Sequence, residues 1–397
     1  MTRRSWLAAA AALFLSACAG GNSTNLSTQS TQPLSTGNQT TGAVPKLAGK
    51  VKVALLLPRT SERSNIAAVA KGLKQSAELA LFEFDNPNIV LINKDTKGTV
   101  EGAKIAATEA LSEGAELIIG PLFASSVAAI SPITRQANVP VIAFSSDEKV
   151  AGQGVYLLSF LAGRDVPRIV SYARSQGKQR FAALVPDTPY GQIVEAAFRR
   201  SVAQSGGEVL AVERYPQDPN GMLDPAQRIS VLAQKDNPQI DALLIPGGPE
   251  SLPSLSPLMP YFEIDTAQVQ ILGTGRWDYP NIGREKSLLN GWFPAAHPRG
   301  WQEFRQRYAS TYGNVPPRIS SLAYDAVSLA LSLSTQSGQR YSARQITRAS
   351  GFAGVDGLFR FLPDGTSQRG LAVLQVQKFG SSVIDGAPNS FNRVAQY

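Results

Sequence analysis

Two pairs of hydroxyl side chains follow short apolar runs of the sequence, at the points where those runs end. They are Ser125 with Ser126, and Ser145 with Ser146. A serine at or just before a helix start leaves its hydroxyl and nearby backbone N–H groups available to a small anion such as a carboxylate. Each of these serines could equally be an ordinary helix cap, so the elements around them decide whether they converge on one site.

Apolar strands and amphipathic helices alternate over residues 51–144. Strands are predicted over 51–57, 89–92, 117–119 and 139–144, and helices over 66–84, 102–111 and 127–137. Gly120-Pro121 ends the third strand, because glycine permits a tight turn and proline cannot continue a strand ladder. The alternation predicts an α/β fold with a doubly wound parallel sheet, in which ligands bind at the carboxyl ends of the strands. Both pairs of serines are expected at that edge.

A second alternation of strands and helices predicts a second α/β lobe. Its strands are predicted over 181–185, 208–215, 240–245 and 269–272. Their ends carry Tyr190, which opens a helix, and Arg276 with Trp277 in the loop after the last strand. Two helical segments follow over 300–312 and 319–334. The sequence then predicts a terminal hairpin between 358–361 and 371–376, around a Pro-Asp-Gly turn.

The N-terminus has the pattern of a secretory signal. Arg3 and Arg4 precede an apolar run over residues 6–15, which is far shorter than the ~20 residues needed to cross a bilayer. Residues 15–18, Leu-Ser-Ala-Cys, resemble the lipobox of bacterial lipoproteins, which implies a signal peptide over 1–17 and a lipid anchor on Cys18. Residues 19–45 are uncharged and polar, so we assign 18–49 as a lipidated N-terminus and disordered tether.

The lipobox resemblance also implies a location. Alanine and not aspartate follows Cys18. In the sorting pattern of enteric bacteria, this implies an outer-membrane lipoprotein that faces the periplasm.

The ordered part of the chain resembles the type I periplasmic binding proteins, in particular the leucine/isoleucine/valine-binding branch. The motifs that carry the resemblance are Gly120-Pro121 with its serines, Val139-Pro-Val-Ile-Ala-Phe-Ser145, Tyr190-Gly191, Tyr324-Asp325-Ala326 and Phe359-Arg360-Phe361 before Asp364-Gly365. The family has two lobes joined by a hinge that the chain crosses three times. The resemblance implies lobe 1 over 50–160 plus 292–350, and lobe 2 over 161–291 plus 351–397.

A lipid-anchored form with a polar tether is also similar to the bacterial penicillin-binding-protein activators. These outer-membrane lipoproteins regulate peptidoglycan synthases through a protein interface. Residues 312–327 and Gly120-Pro121-Leu122 carry this second resemblance.

The family resemblance implies roles for the residues at the strand ends. Ser125 or Ser126, with Ser145 or Ser146, would hold a ligand carboxylate, and Tyr190 would supply the aromatic contact. The position expected to hold an acidic partner for an ammonium group instead has Arg276 and Trp277. These two residues suit an anionic or ring-bearing ligand. Alternatively, Trp277 is a packing residue and Arg276 a solvated hinge residue.

Several classes of function have little support in the sequence. The single histidine, His297, and the single cysteine make a metal cluster or a Ser-His nucleophile implausible, and no cofactor motif is complete. The net charge of +8 is scattered along the chain, which argues against a nucleic-acid partner. The sequence therefore predicts a non-enzymatic envelope lipoprotein. Its first predicted role is activation of a penicillin-binding protein, and the alternative is capture of amino acids or similar small polar carboxylates for an ABC permease.

Overall fold

The computed structural model describes residues 50–84, 88–335 and 339–391. The predicted signal peptide, Cys18 and the tether over 18–49 lie outside the described residues. Within those ranges, no helix combines the length and the apolar character that a membrane span requires.

The first sheet is parallel and has five strands in the order β2-β1-β3-β4-β5. These are β1 (Val51–Leu57), β2 (Ile89–Asp95), β3 (Leu117–Ile119), β4 (Val141–Ala143) and β5 (Val155–Leu157). The helices between them are α1 (Ser64–Glu83), α2 (Val100–Ser112) and α3 (Ala124–Gln136). The predicted alternation of strand and helix in this region is confirmed.

Strand β1 shows why this sheet is covered on both faces. Val53 and Leu55 belong to the apolar core that contains α1, whereas Ala54 and Leu56 pack with α2 and α3. A strand buried on both faces needs an almost continuous apolar sequence, which residues 51–57 supply. Gly120 follows the neighbouring β3 with a φ of +94°, and a Cβ there would lie 2.2 Å from the Leu56 carbonyl oxygen. Only glycine fits at this turn.

The second α/β region runs from α4 to β10. Its helices are α4 (Val166–Ser175), α5 (Pro189–Gln204), α6 (Leu223–Ser230), α7 (Leu252–Leu255) and α8 (Leu258–Tyr261). Its strands are β6 (Arg180–Pro186), β7 (Glu208–Tyr215), β8 (Ala242–Leu244), β9 (Gln270–Leu272) and β10 (Trp292–Ala295). These five strands pair in parallel.

The chain then returns to the first lobe. Helices α9 (Pro298–Tyr312), α10 (Ser321–Ser334) and α11 (Ala343–Ile346) precede a small antiparallel sheet of β11 (Phe352–Gly354), β12 (Gly357–Phe361) and β13 (Ser367–Arg369). Strands β14 (Ala372–Gln377) and β15 (Gly380–Asp385) complete the second sheet, in the order β15-β14-β10-β9-β8-β6-β7.

The chain therefore crosses between the two lobes three times. The crossings lie between β5 and α4, between β10 and α9, and between β13 and β14. Two parallel-sheet lobes joined by a three-crossing hinge are the predicted fold class, which is confirmed.

The structure sets the lobe boundaries differently from the prediction. Residues 292–295 were assigned to lobe 1, but β10 pairs with β9 and β14 in the second sheet. Residues 351–370 were assigned to lobe 2, but Phe352, Phe359 and Phe361 pack in the core of lobe 1. The second and third crossings thus lie near residues 296–297 and 370–371.

The predicted terminal hairpin between 358–361 and 371–376 is wrong. Strand β12 pairs with β11 and β13, whereas β14 pairs with β10 and β15. The physical reason is burial, because Phe359 and Phe361 face the core of lobe 1 while Leu374 and Val376 face that of lobe 2. The predicted Pro-Asp-Gly turn around residue 364 is present, but it joins β12 to β13 and not β12 to β14.

Candidate functional site

A cavity of about 270 Å³ lies where the three crossings meet. The first crossing contributes residues 159–165, the second 294–296, and the third Arg369 and Leu371. Lobe 2 adds Tyr190, Gly275, Arg276 and Asp278, and lobe 1 adds Arg318. Small-ligand sites are typically concave, largely apolar and furnished with a few polar groups, as this cavity is. We call it the hinge cavity.

Tyr190 and Arg276 form one side of the hinge cavity. Thr188 caps the N-terminus of α5 by accepting a hydrogen bond from Gly191 N, and this cap sets the start of the helix on which Tyr190 lies. The Tyr190 hydroxyl lies 2.9 Å from Thr274 Oγ1, and burial raises the tyrosine pKa well above its ordinary value. The Arg276 guanidinium lies 4.8 Å from the Tyr190 ring centroid and forms a 2.7 Å ion pair with Glu250. Arg276 is therefore already paired.

Two carboxyl groups lie beside this side of the cavity. Asp165 Oδ2 accepts a 2.6 Å hydrogen bond from Gly275 N, while its Oδ1 is buried and has no hydrogen-bond partner among the described residues. Burial raises the pKa of Asp165. Burial also raises the pKa of Asp278. The positive charge of Arg318 opposes this rise, and the negative charge of Asp356 adds to it.

Arg318 also lines the cavity and forms an ion pair with a buried carboxylate. Its two terminal nitrogens donate to Asp356 at 2.6 Å and 3.1 Å, and Ser321 donates to the same carboxylate at 2.7 Å. Burial alone would raise the pKa of Asp356, but the charge and hydrogen bonds of Arg318 hold it below its ordinary value. The guanidinium also stacks on Trp301 and Phe160, at 4.6 Å and 5.0 Å from the ring centroids.

Arg369 shares the Phe160 ring but lacks a hydrogen-bonded partner. Its guanidinium lies 4.9 Å from the centroid of Phe160 and 5.7 Å from that of Phe359. All three of its side-chain nitrogens are buried and hydrogen-bond to none of the described residues, and the same is true of Ser367 Oγ two residues earlier. Residues two apart on a strand share one face, so β13 directs both polar groups to the same side.

A buried carboxyl, Asp325 on α10, completes this polar cluster. Val355 N donates to its Oδ1 at 2.7 Å, whereas its Oδ2 has no partner within the described ranges. Burial, followed by the charge of Asp356, raises the pKa of Asp325 to about 7. Because this carboxyl is only partly ionised near neutral pH and Asp356 is paired with Arg318, Arg369 has no full counter-charge.

The structure separates the residues that were predicted as ligand contacts. Tyr190 and Arg276 line the hinge cavity, whereas the four serines and Trp277 are not among its lining residues. Ser125 and Ser146 are exposed, Ser145 Oγ accepts from Asp147 N at 3.1 Å, and Ser126 Oγ is buried without a hydrogen bond among the described residues.

Trp277 is a core residue of lobe 2. Its side chain is fully buried, its indole N–H donates to the Ile245 carbonyl at 3.0 Å, and its ring centroid lies 6.2 Å from that of Phe293. This is the packing alternative that the sequence left open. Arg276 is exposed, as the alternative of a solvated residue has it, and it also forms an ion pair with Glu250.

Sequence reasoning missed Phe160, Asp165, Arg318, Ser367 and Arg369. The first two follow strand β5, and a strand end at the carboxyl edge was the signal that could have found them. Ser367 and Arg369 lie on a three-residue strand with no apolar pattern, so their position beside Phe160 could not be predicted locally. In the part of the chain that the structure describes, no group of histidine, cysteine or acidic side chains could hold a metal ion.

Comparison with known proteins gives the family. Residues 50–381 match the family model described as periplasmic binding protein. The Leu/Ile/Val-binding protein homolog 6 of Brucella melitensis is 24% identical over 171 residues, which are 42% of this chain and 43% of that protein. The chain thus matches less than half the length of this curated relative.

Solved structures share the fold over most of the described chain. A putative branched-chain amino acid ABC transporter protein from Rhodospirillum rubrum superposes with a TM-score of 0.72 at 16% identity, and the match covers 84% of this chain and 99% of that one. A solute-binding protein from Rhodopseudomonas palustris, in complex with 3,4-dihydroxybenzoic acid, gives 0.56 at 18% identity, over 85% and 98%. The family model and the shared fold place the chain among the type I periplasmic binding proteins of the Leu/Ile/Val-binding kind.

Proposed function

We propose that this protein is the solute-binding component of an ABC importer and captures a small carboxylate-bearing solute in the hinge cavity. The observation that carries the proposal is the lining of the cavity, to which all three crossings and both lobes contribute. A solute bound there would contact both lobes and all three hinge segments at once. Its binding energy could therefore favour one angle between the lobes, which is the property that a permease can recognise.

The size and lining of the cavity support a ligand of amino-acid or aromatic-acid size. Its volume of about 270 Å³ lies just below the range of drug-sized sites, roughly 300–1,000 Å³. Phe160, Leu161, Pro294 and Leu371 offer apolar surface, while Arg369 and Asp165 offer polar groups. The Rhodopseudomonas palustris relative binds a ring-bearing carboxylic acid, which is consistent with this class.

The comparisons favour the importer over the penicillin-binding-protein activator that the sequence suggested first. The activator role is supported by the likeness of residues 312–327 and of Gly120-Pro121-Leu122, and by the predicted tether. If it is correct, a pull-down with purified penicillin-binding proteins retains one of them, and no solute is needed. Retention of none would count against that role.

The family implies a periplasmic location. We further infer that the chain is anchored there through a lipid on Cys18, and the sorting pattern points to the outer membrane. An importer component is expected at the inner membrane. The importer proposal and the sorting pattern therefore predict different membranes for the anchor. Metabolic labelling with a palmitate analogue, followed by membrane fractionation, tests both, with C18A as the unlabelled control.

Thermal unfolding against a solute panel tests the proposed function. A true ligand at about 100 times its Kd stabilises the protein by roughly 2.7 kcal/mol. Ala162→Trp should fill the cavity and abolish that shift, because Ala162 lines it. The matched control is Ala128→Trp on the exposed face of α3. If no solute of any class shifts the unfolding temperature, the importer proposal fails.

A further inference from the structure

Arg369 differs from the other cations at the hinge cavity in having no hydrogen-bonded partner. Arg276 is paired with Glu250, and Arg318 with Asp356. Arg164, on the first crossing, is paired with Glu148 through two hydrogen bonds. The nitrogens of Arg369 are buried and hydrogen-bond to no described residue. A guanidinium stays protonated in proteins, so this is a buried positive charge with unused donors.

Such a charge is costly unless something compensates it. A buried ion or polar group without a hydrogen-bonded partner destabilises the fold. Asp356 and Asp325 act on Arg369 through space, but neither forms an ion pair with it. The compensation is therefore incomplete, and Ser367 Oγ beside it is a second buried group without a partner.

Both side chains belong to the lining of the hinge cavity, so a ligand could supply what they lack. A carboxylate has two acceptor oxygens, which match the paired donors of a guanidinium and can also accept from a hydroxyl. The nitrogens are covered in the present arrangement, and Phe160 is the ring stacked on them. That ring is 42% exposed and lies on the first crossing, where a change in lobe angle would move it.

We propose that Arg369 and Ser367 form the anion-binding subsite of the hinge cavity and receive the carboxylate of the solute when the Phe160 ring turns aside. This inference rests on the proposed function. It places the carboxylate at the third crossing, on β13, and not at the serine edge of lobe 1. Arg318 remains bound to Asp356 and keeps its structural role.

Matched acids and amides test the inference in the wild-type protein. The panel contains L-leucine, L-glutamate and benzoate, their primary amides, glucose as a neutral solute and spermidine as a cation. Isothermal calorimetry should find at least one carboxylate that binds, with its amide at least about 30-fold weaker, because a desolvated charge pair is lost.

Variants then locate the carboxylate. Arg369→Met should weaken binding of the acid by at least about 30-fold. Ser367→Ala should weaken it by about 2- to 12-fold, as expected for one ordinary hydrogen bond. The control for Arg369 is Arg348→Met, a guanidinium stacked on Phe352 outside the cavity, and the control for Ser367 is Ser76→Ala, another buried hydroxyl without a partner among the described residues. Both controls should bind the acid like the wild type.

The outcomes separate this inference from the proposed function. If a solute binds but its acid and amide bind equally, or if Arg369→Met leaves the affinity unchanged, the subsite is wrong and the importer proposal stands. If no solute of any class binds, both fail. Should Arg369→Met not fold, Ser367→Ala and the acid–amide comparison in the wild type still decide the question.

Discussion

Arg318 and Arg369 stack on the same ring, that of Phe160, but their surroundings differ. Arg318 precedes α10 and makes two hydrogen bonds to Asp356, in the turn between β11 and β12. Arg369, on β13, lies on the same side of the strand as Ser367, stacks on the Phe160 and Phe359 rings and makes no hydrogen bond to any described residue. One cation is neutralised within the protein, and the other keeps its donors unused.

This difference indicates two roles for chemically identical side chains. A cation that is hydrogen-bonded to a buried carboxylate connects elements of the fold, here the start of α10 and the β11–β12 turn. A buried cation with unused donors destabilises the protein while the site is empty. An anion that accepts hydrogen bonds from those donors removes this cost and therefore binds more tightly. The predictions below test whether the two environments differ in this way, and they begin with the largest expected effect.

Asp356→Ala should have the largest effect on stability. It removes a fully buried carboxylate and leaves Arg318, whose side chain is 35% exposed, without its ion-pair partner. The expected cost is about 3 kcal/mol, at the low end for a buried pair, because water can reach part of the guanidinium. Urea unfolding measures the change. The control is Glu303→Ala, whose partner Arg299 is 79% exposed, and which should cost no more than about 1 kcal/mol. A loss below 1 kcal/mol for Asp356→Ala would show that the ion pair of Arg318 and Asp356 contributes little to stability.

Asp325→Asn should flatten the dependence of stability on pH. Burial raises the pKa of Asp325 to about 7, so the folded protein retains a proton that the unfolded chain releases near pH 4. Stability from this group is therefore greatest at low pH and declines as the pH rises from about 4 to 7, by at most about 4 kcal/mol. The charged neighbours that face it are Asp356, Arg318 and Arg369.

Unfolding free energies at pH 5, 6, 7 and 8 measure this slope in the wild type and in Asp325→Asn. Asparagine can still accept the hydrogen bond from Val355 N, which makes it a suitable replacement. If the two proteins have the same slope between pH 5 and 7, Asp325 does not titrate there and Arg369 has a full counter-charge.

Tyr190→Phe tests a polar group of the cavity that already has a hydrogen-bond partner, the Tyr190 hydroxyl. The variant removes the 2.9 Å contact to Thr274 Oγ1, a side chain that is fully buried. The expected cost is about 1–2 kcal/mol, measured by urea unfolding. Tyr261→Phe, at a residue that is 72% exposed, should change stability by less than about 0.5 kcal/mol. An equal effect of the two variants would remove the distinction between paired and unpaired groups.

Ser126→Ala should have the smallest effect on stability, within about 1 kcal/mol and toward stabilisation. Its Oγ is buried without a hydrogen bond among the described residues, so the variant removes an unsatisfied group. The same variant tests the sequence-based prediction for the serines. A tenfold or greater loss of affinity for the acid would place the carboxylate at the serine edge and contradict the role of Arg369.

The sequence predicted most of lobe 1 and the alternation of lobe 2, because strands such as β1 and helices such as α1 have strong apolar periodicity. It assigned residues 292–295 and 351–370 to the wrong lobes. Each of these segments buries only a few apolar side chains. Their sequences therefore do not show whether those side chains pack in the core of lobe 1 or of lobe 2. Pairing with β9 and β14, and the position of Phe359 in the lobe 1 core, settle the boundaries.

The candidate site was predicted in part for a similar reason. Tyr190 and Arg276 were found because they follow strands at the carboxyl edge, where ligands bind in such sheets, and because the family resemblance implies a ligand contact at their positions. Trp277 follows β9, as Arg276 does, but its side chain is buried in the core of lobe 2. The sequence of a loop does not reveal which of its side chains will be buried. The rotation of a side chain at a strand end depends on what packs around it.

By itself, the sequence determined most of the alternation of strands and helices, the two-lobed fold class and, through its motifs, the likeness to the family. Those properties follow from local periodicity and from motifs that are contiguous in the chain. Only the tertiary structure decided that Phe160, Arg318 and Arg369 meet, since they lie on separate segments more than 200 residues apart at the extremes. It also decided which arginine is paired, because a charge finds or lacks its partner only when the whole fold has formed.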